Sequence, residues 1–351
     1  MRSSLVLSVA TTLLSASLVQ QTHAQQLCNG YAGLCAKTYD QVAYPTTHNA
    51  YAYQPADALA LNQHNDIPTQ LGDGIRAFML DAYKSTNPND IQLCHTSCNL
   101  LDAGPLSKVL SQIKSFLDDN KNEVITIFWE NSADLAASQF QTVYAAAGLS
   151  DYLYTQSAGT TKWPTLAEMI SSGKRLVNFI ASGADASVPW LMNEYDYVFE
   201  TPYQITKGAE FPCTIDRPSG ERKQMYVLNH FISQTLATGG QNIDVPQPDA
   251  AAQTNGEDLV THINSCQSTF SQVPNFVAVD FYEKGTLLQT VAQINDVPFN
   301  NKTPTQPKNS GSSGNNGKGK GNGGEVLMSK GADLKAIGVA AMAVVCGYMA
   351  F

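Results

Sequence analysis

Between residues 41 and 298 the chain alternates apolar, β-branched runs with segments of helical period. That alternation restricts it to a mainly parallel sheet covered by helices on both faces. Strand-like runs begin at Val42 to Tyr44 and recur at Ile75 to Asp81, Val124 to Trp129, Arg175 to Ile180, Tyr195 to Phe199, Met225 to Leu228 and Phe276 to Phe281. Pro105 to Leu117 reads as a helix, with proline at its start and Leu106, Val109, Leu110, Ile113 and Leu117 on one face. Leu135 to Ala147 and Asp258 to Phe270 read as two more. Six or seven of the eight strands of a complete barrel are legible. The expected fold class is α/β: a TIM-type (β/α) barrel, regular or distorted, in a single domain over residues 41–298. An open doubly wound sheet is the alternative.

The polar residues fall at the ends of these runs. Thr47-His48-Asn49 follows the first, Asp81 and Glu130 close the next two, Asn229-His230 follows Leu228, and Asp280 nearly ends the last. In parallel α/β folds the strand C-termini converge on one mouth, where ligands bind. His48 and His95 suit a base and acid pair near neutral pH, and Asp280 suits a carboxylate that orients one imidazole. Asp81, Glu130 and the amide oxygen of Asn49 are hard oxygen donors, fit for Ca²⁺ or Mg²⁺ rather than zinc. The set points to phosphodiester or hydrolytic chemistry without naming a substrate.

The two ends read as processing signals. Arg2, the apolar stretch Leu5 to Leu18 and Thr22-His23-Ala24 make residues 1–24 a secretory signal peptide. Residues 299–324 are rich in Asn, Gly, Ser, Pro and Lys and read as a flexible stalk, with an N-glycosylation acceptor at Asn301. Small residues around Asn322, a spacer and the apolar Ala336 to Phe351 read as a glycosylphosphatidylinositol (GPI) signal, with Asn322 as attachment residue and 325–351 removed. A C-terminal transmembrane helix is the alternative. The expected product is secreted and held on the outer leaflet of the plasma membrane, or in the cell wall, as a monomer.

Of seven cysteines, Cys346 lies in that tail, leaving Cys28, Cys35, Cys94, Cys98, Cys213 and Cys266. An even number in an oxidising compartment suggests disulfides, with fifteen connectivities open. Pairing between neighbours gives Cys28–Cys35, closing a lead-in over residues 25–40, then Cys94–Cys98 and Cys213–Cys266. A metal cluster is the rival, but zinc-like paired spacing is missing. A net charge of -9 without a basic patch argues against nucleic acid.

Five short motifs, in order, resemble the phosphatidylinositol-specific phospholipase C catalytic domain. They are Thr46-Thr47-His48-Asn49, Gly74 to Asp81, Leu93-Cys94-His95, Val124 to Trp129 with Glu130-Asn131, and Asn275 to Phe281. The chain is most similar to the secreted fungal-type branch. The resemblance implies that His48 is the general base toward the inositol 2-hydroxyl, Asp280 orients it, and His95 protonates the departing diacylglycerol oxygen. It also implies a calcium site at Asn49, Asp81 and Glu130, weakened or lost because Met79 stands where the calcium-type enzymes carry a carboxylate.

Other residues are weighed individually. His230 at a strand end and Arg175 are candidates for substrate contact, with Lys174 and Arg175 otherwise a solvated pair. Arg76 reads as structural, His64 as a loop residue and His262 as surface. Tyr195, Tyr197, Phe199 and Tyr203 suit either a sugar ring or the core. The function expected is phosphoric diester hydrolysis of an inositol phospholipid by a phospholipase-C-like enzyme. The alternatives are another phosphodiesterase, of the glycerophosphodiester type, and a catalytically weak surface or wall-binding protein on the same barrel.

Overall fold

The computed structural model describes residues 26–307 apart from 56, 57, 158, 239 and 240. The expected signal peptide, Asn322, residues 325–351 and most of the expected stalk lie outside the described residues. Eight parallel strands form one curled sheet: β1 (Tyr44–Thr47), β2 (Ala77–Lys84), β3 (Ile125–Glu130), β4 (Leu176–Ile180), β5 (Leu191–Asn193), β6 (Val198–Glu200), β7 (Met225–Asn229) and β8 (Phe276–Val279). Neighbours in the sheet run β5-β4-β3-β2-β1-β8-β7-β6. Chain order is therefore kept around the ring, as in a barrel and unlike the doubly wound order. The seam lies between β5 and β6, where no pairing is present among the described residues.

That seam is where the strand reading needs correction. The expected strand Tyr195 to Phe199 is there only at its end: Glu194–Asp196 is a 3₁₀ turn, and Val198 and Phe199 belong to β6. Strands of three residues are too short to show a period of two.

The period of two sorts side chains into two layers. Inside the ring pack Tyr44, Ala77, Phe128, Val177, Phe179, Val198, Val227, Phe276 and Ala278. Facing the helices are the alternate residues, among them Phe78, Leu80, Ile125, Ile127, Trp129, Leu228, Val277 and Val279. Helices α1 (Ile67–Asp73), α2 (Leu106–Asp119) and α3 (Ala137–Ala146) lie on this outer face; α4 (Leu166–Ser172) instead packs Leu166 and Met169 onto the inner cluster beside the lead-in, and α5 (Leu259–Phe270) and α6 (Leu287–Ile294) return to the outer face. The apolar stripe of α2 is fully legible in its sequence: Leu106, Val109, Leu110, Ile113 and Leu117 are its buried residues. α1 starts where the Asp66 carboxylate accepts from the Thr69 amide, and α4 where Thr165 and Glu168 cap reciprocally.

Two antiparallel hairpins were not foreseen. Ile91–His95 pairs with the end of β2 and with Leu101–Pro105, and Ser233–Thr238 pairs with Gln241–Pro246. The first carries His95 to the mouth. Disulfides join Cys28 to Cys35, Cys94 to Cys98 and Cys213 to Cys266. The lead-in closes the bottom of the ring, where Tyr39 packs against Tyr44 and Trp163 and its hydroxyl lies 2.6 Å from Thr126 Oγ1.

The expected stalk starts too early. Thr305 donates to the Asp73 carboxylate from N and Oγ1 at 2.7 and 2.8 Å, and its carbonyl accepts from Asn65. The Lys302 ammonium donates to the Gly72 carbonyl. Composition predicted no order because these residues have little to bury. They dock by hydrogen bonds to a buried carboxylate instead, and Asn301 is exposed among them.

Candidate active site

Interior parity places the polar residues that matter. Positions 48, 81, 130, 200, 229 and 280 each continue an inward-facing register of their strand. They line one cavity of about 330 Å³ at the C-terminal mouth.

The first half of the mouth is built around His48. Asn49 takes a left-handed φ of 43° and turns the chain directly after the strand. The His48 amide donates to the Val279 carbonyl at 3.0 Å, and Gln63 Nε2 donates to the carbonyls of both His48 and Val279. This clamp fixes the end of β1 against the end of β8. His48 Nδ1 then lies 2.9 Å from Asp280 Oδ1, which also accepts from Asn62 Nδ2 at 3.0 Å. The His48 ring stacks on Phe231 with centroids 3.7 Å apart. With Nδ1–H given to the carboxylate, Nε2 is the ring's free lone pair. His95 lines the same cavity. Its Nδ1 donates to the Ala60 carbonyl at 2.7 Å, and burial lowers its pKa.

The second half is acidic around one guanidinium. Arg217 reaches Glu130 Oε2 from Nη1 at 3.1 Å and Glu200 Oε2 from Nη2 at 3.0 Å, with Tyr203 beneath it at 4.6 Å. Asn229 Nδ2 also donates to Glu200 at 2.9 Å. Burial, and then the neighbouring Glu200, push the Glu194 carboxyl well above its usual range. Four buried polar atoms of residues lining the mouth have no partner among the described residues: Asn62 Oδ1, Glu194 Oε1, Asn229 Oδ1 and Arg217 Nε.

The donors suggested for a divalent ion fit one poorly. Glu130 is already paired with Arg217. Burial raises the Asp81 carboxyl to about 7, against a smaller opposing effect from His48. Met79 puts a thioether in the interior position between Ala77 and Asp81. Three or more His, Cys, Asp or Glu donors within reach of a single ion occur, among the described residues, at Cys213, His262 and Cys266, away from the mouth. There the disulfide already consumes both sulfurs.

Two expected substrate residues lie elsewhere. His230 follows Asn229, so the same parity turns it outward into the helix layer. It is fully buried, with Nδ1 3.0 Å from His262 Nδ1 and Nε2 2.8 Å from the Thr254 carbonyl. His262, expected on the surface, is its buried partner. Arg175 precedes β4 at the end opposite the mouth. Its guanidinium donates to the carbonyls of Leu117, Asn120 and Glu123 at 2.8 to 2.9 Å, capping the end of α2. Nor is it half of a solvated pair, since Lys174 donates to the Asp151 carbonyl. Arg76 is tied to Glu123 at 2.7 Å, and His64 Nδ1 lies 2.6 Å from Glu283. Of the four aromatic candidates, Tyr203 lines the mouth, while Phe199 stacks on Tyr226 in the outer layer and Tyr197 packs against Trp163 and Phe179.

Sequence reasoning missed Arg217, Glu194, Glu200 and Asn62. Glu200 did carry a signal, a carboxylate ending an apolar run as Glu130 does. The other three sit in a turn or in long connections where no period marks them.

The family model described as PI-PLC X 1 matches residues 34–295. A protein of Arthroderma benhamiae named "Uncharacterized secreted protein" is 35% identical over 292 residues, covering 78% of this chain and 65% of that one. A "PI-PLC X domain-containing protein 1" of the same organism is 34% identical over 280 residues, covering 77% of this chain and 89% of that one. The chain thus spans less than two thirds of the length of the first relative. The solved phosphatidylinositol-specific phospholipase C of Listeria monocytogenes aligns with a TM-score of 0.49 at 18% identity, over 78% of this chain and 97% of that one.

Proposed function

Since the chain belongs to the PI-PLC X domain family, we propose that it is a phosphoric diester hydrolase that cleaves an inositol phospholipid by acid–base catalysis between two histidines. Membership supports a phosphodiesterase-like function at the coarse level. The observation that carries the finer reading is the His48–Asp280 contact of 2.9 Å in a cavity that His95 also lines. In this reading His48 Nε2 takes the proton of the hydroxyl adjacent to the phosphoester, and that oxygen attacks phosphorus within the same molecule. An internal nucleophile has a high effective concentration, so positioning and charge stabilisation supply the rest. Asp280 holds the ring and balances the imidazolium. His95 Nε2 then protonates the departing oxygen. Burial favours its neutral form, and the approaching phosphate anion favours the charged one.

Secretion is part of the proposal, supported by the name of the Arthroderma relative and by the signal-like pattern of residues 1–24. So is a GPI anchor at Asn322, which would hold the monomer on the outer leaflet, facing lipid head groups.

The test is release of inositol phosphate from phosphatidylinositol vesicles by the purified chain, His48→Ala and His95→Ala. A cyclic phosphate product and a loss of at least about 10²-fold in each variant are expected. Equal release from all three removes the mechanism. An open phosphate as first product, with glycerophosphodiesters preferred, favours the glycerophosphodiester alternative.

A further inference from the structure

We infer that Arg217 is the cation that meets the substrate phosphate in this mouth, and that Glu130 is a placeholder which the phosphate displaces. The inference rests on the phosphodiesterase reading and adds to it the source of positive charge. Apart from its histidines, the charged residues lining the cavity are Asp81, Glu130, Glu194, Glu200, Asp244, Asp280 and Arg217. Burial favours the neutral form of Glu194 and raises Asp81, but the remaining carboxylates would still repel a phosphodiester anion, and among the described residues one guanidinium is there to receive it.

The two carboxylates that hold Arg217 are unequal. Glu200 is 1% exposed at its side chain and is further bound by Asn229 at 2.9 Å. Its backbone is also tied to the arginine's own segment, through Glu200 N to the Arg217 carbonyl at 2.7 Å and Asp216 N to the Glu200 carbonyl at 2.9 Å. It is a permanent mount. Glu130 is 48% exposed at its side chain, and water can take over its solvation when it leaves. Exchanging Glu130 for a phosphate oxygen at Nη1 keeps the fork paired and substitutes one anion for another.

This arrangement also accounts for the poor fit of the mouth to a divalent ion. An ion would need Glu130, which is held by Arg217, and would find Met79 where a further oxygen donor is wanted. Charge that a metal would bring from solution is instead supplied by the chain, from the connection between β6 and β7.

The experiment compares the whole purified chain with Arg217→Gln, Arg217→Lys and Glu130→Gln on phosphatidylinositol vesicles, with EGTA or added calcium. The inference requires wild-type rates within twofold in EGTA and in calcium. It requires kcat/KM at least about 10²-fold lower in Arg217→Gln, with partial recovery by guanidinium salt, and kcat/KM raised about threefold or more in Glu130→Gln. It is overturned if EGTA lowers the wild-type rate tenfold and calcium restores it, if Arg217→Gln stays within threefold of wild type, or if Glu130→Gln loses activity. Should Arg217→Gln not fold, because Glu200 is left buried and unpaired, the double variant Arg217→Gln/Glu200→Gln is judged by the same thresholds. A wild type that cleaves no phosphodiester removes the activity reading instead. Inorganic phosphate binding by calorimetry then decides on Arg217 alone: binding at least tenfold weaker in Arg217→Gln sustains the inference, and equal binding ends it.

Discussion

Replacing both buried imidazoles, His230 and His262, should make the protein less sensitive to acid by a calculable amount. The two rings share one hydrogen bond at 3.0 Å, and His230 Nε2–H donates to the Thr254 carbonyl, so His230 Nδ1 must accept from His262 Nδ1–H, which needs His230 neutral, while burial favours the neutral form of His262. Burial pushes His230 down to about 4, and burial plus the neighbouring His230 push His262 down to about 3. A folded pKa below the unfolded value of about 6.5 means that the folded state binds fewer protons. The stability from these rings is therefore complete above about pH 6.5 and is lost as pH falls toward 4. At pH 5 the folded rings are still neutral while the unfolded ones are charged. Each ring then costs about 1.5 pH units at about 1.36 kcal/mol, or about 2 kcal/mol, and the pair costs about 4 kcal/mol.

Asp81 and Glu194 act in the opposite sense, because burial raises both carboxyls and acid relieves them. The readout must be the difference between wild type and the His230→Leu/His262→Leu variant at each pH, which cancels that effect. Urea unfolding with intact disulfides, followed by tryptophan fluorescence, should show the variant gaining about 4 kcal/mol on wild type between pH 8 and pH 5. A difference that moves by less than about 1 kcal/mol would mean that the rings are already charged when folded, and the buried neutral pair would be wrong.

Arg175→Met should cost about 3 kcal/mol of stability through three lost carbonyl bonds, with turnover per folded molecule unchanged; a tenfold fall in turnover would return Arg175 to the site. Gly285→Ala should lower the melting temperature sharply, because φ is +80° and the new Cβ would sit 2.5 Å from the Asn255 carbonyl. A cost of about 2 to 4 kcal/mol is expected, and a neutral outcome would mean that this loop can shift freely. Cys213→Ser/Cys266→Ser opens a bond between residues 53 apart and should cost about 4 kcal/mol by chain entropy, measured by urea unfolding; a cost below about 1 kcal/mol would contradict that account.

How much of this was written in the sequence differs from residue to residue. The alternation of strand and helix periods determined the fold class, because apolar spacing of 2.0 and 3.6 residues follows from backbone geometry alone. The same patterning marked strand ends, and so offered His48, Asp81, Glu130 and Asp280 as candidates for one mouth. It did not tell His230 from Asn229, though the two are adjacent. One faces the cavity and the other a helix, and only the register of β7 in the ring decides which.

The tertiary structure alone brought in Arg217 and Glu194, from a connection and a 3₁₀ turn that carry no periodic signal. It alone set Arg175 beneath the barrel rather than at its mouth. It also held residues 299–307 to the barrel, although their composition predicts a free stalk. The reason is common to these cases. Local pattern records what a segment does with its own neighbours, whereas an ion pair such as Arg217 with Glu130, 87 residues apart, exists only once the ring has curled.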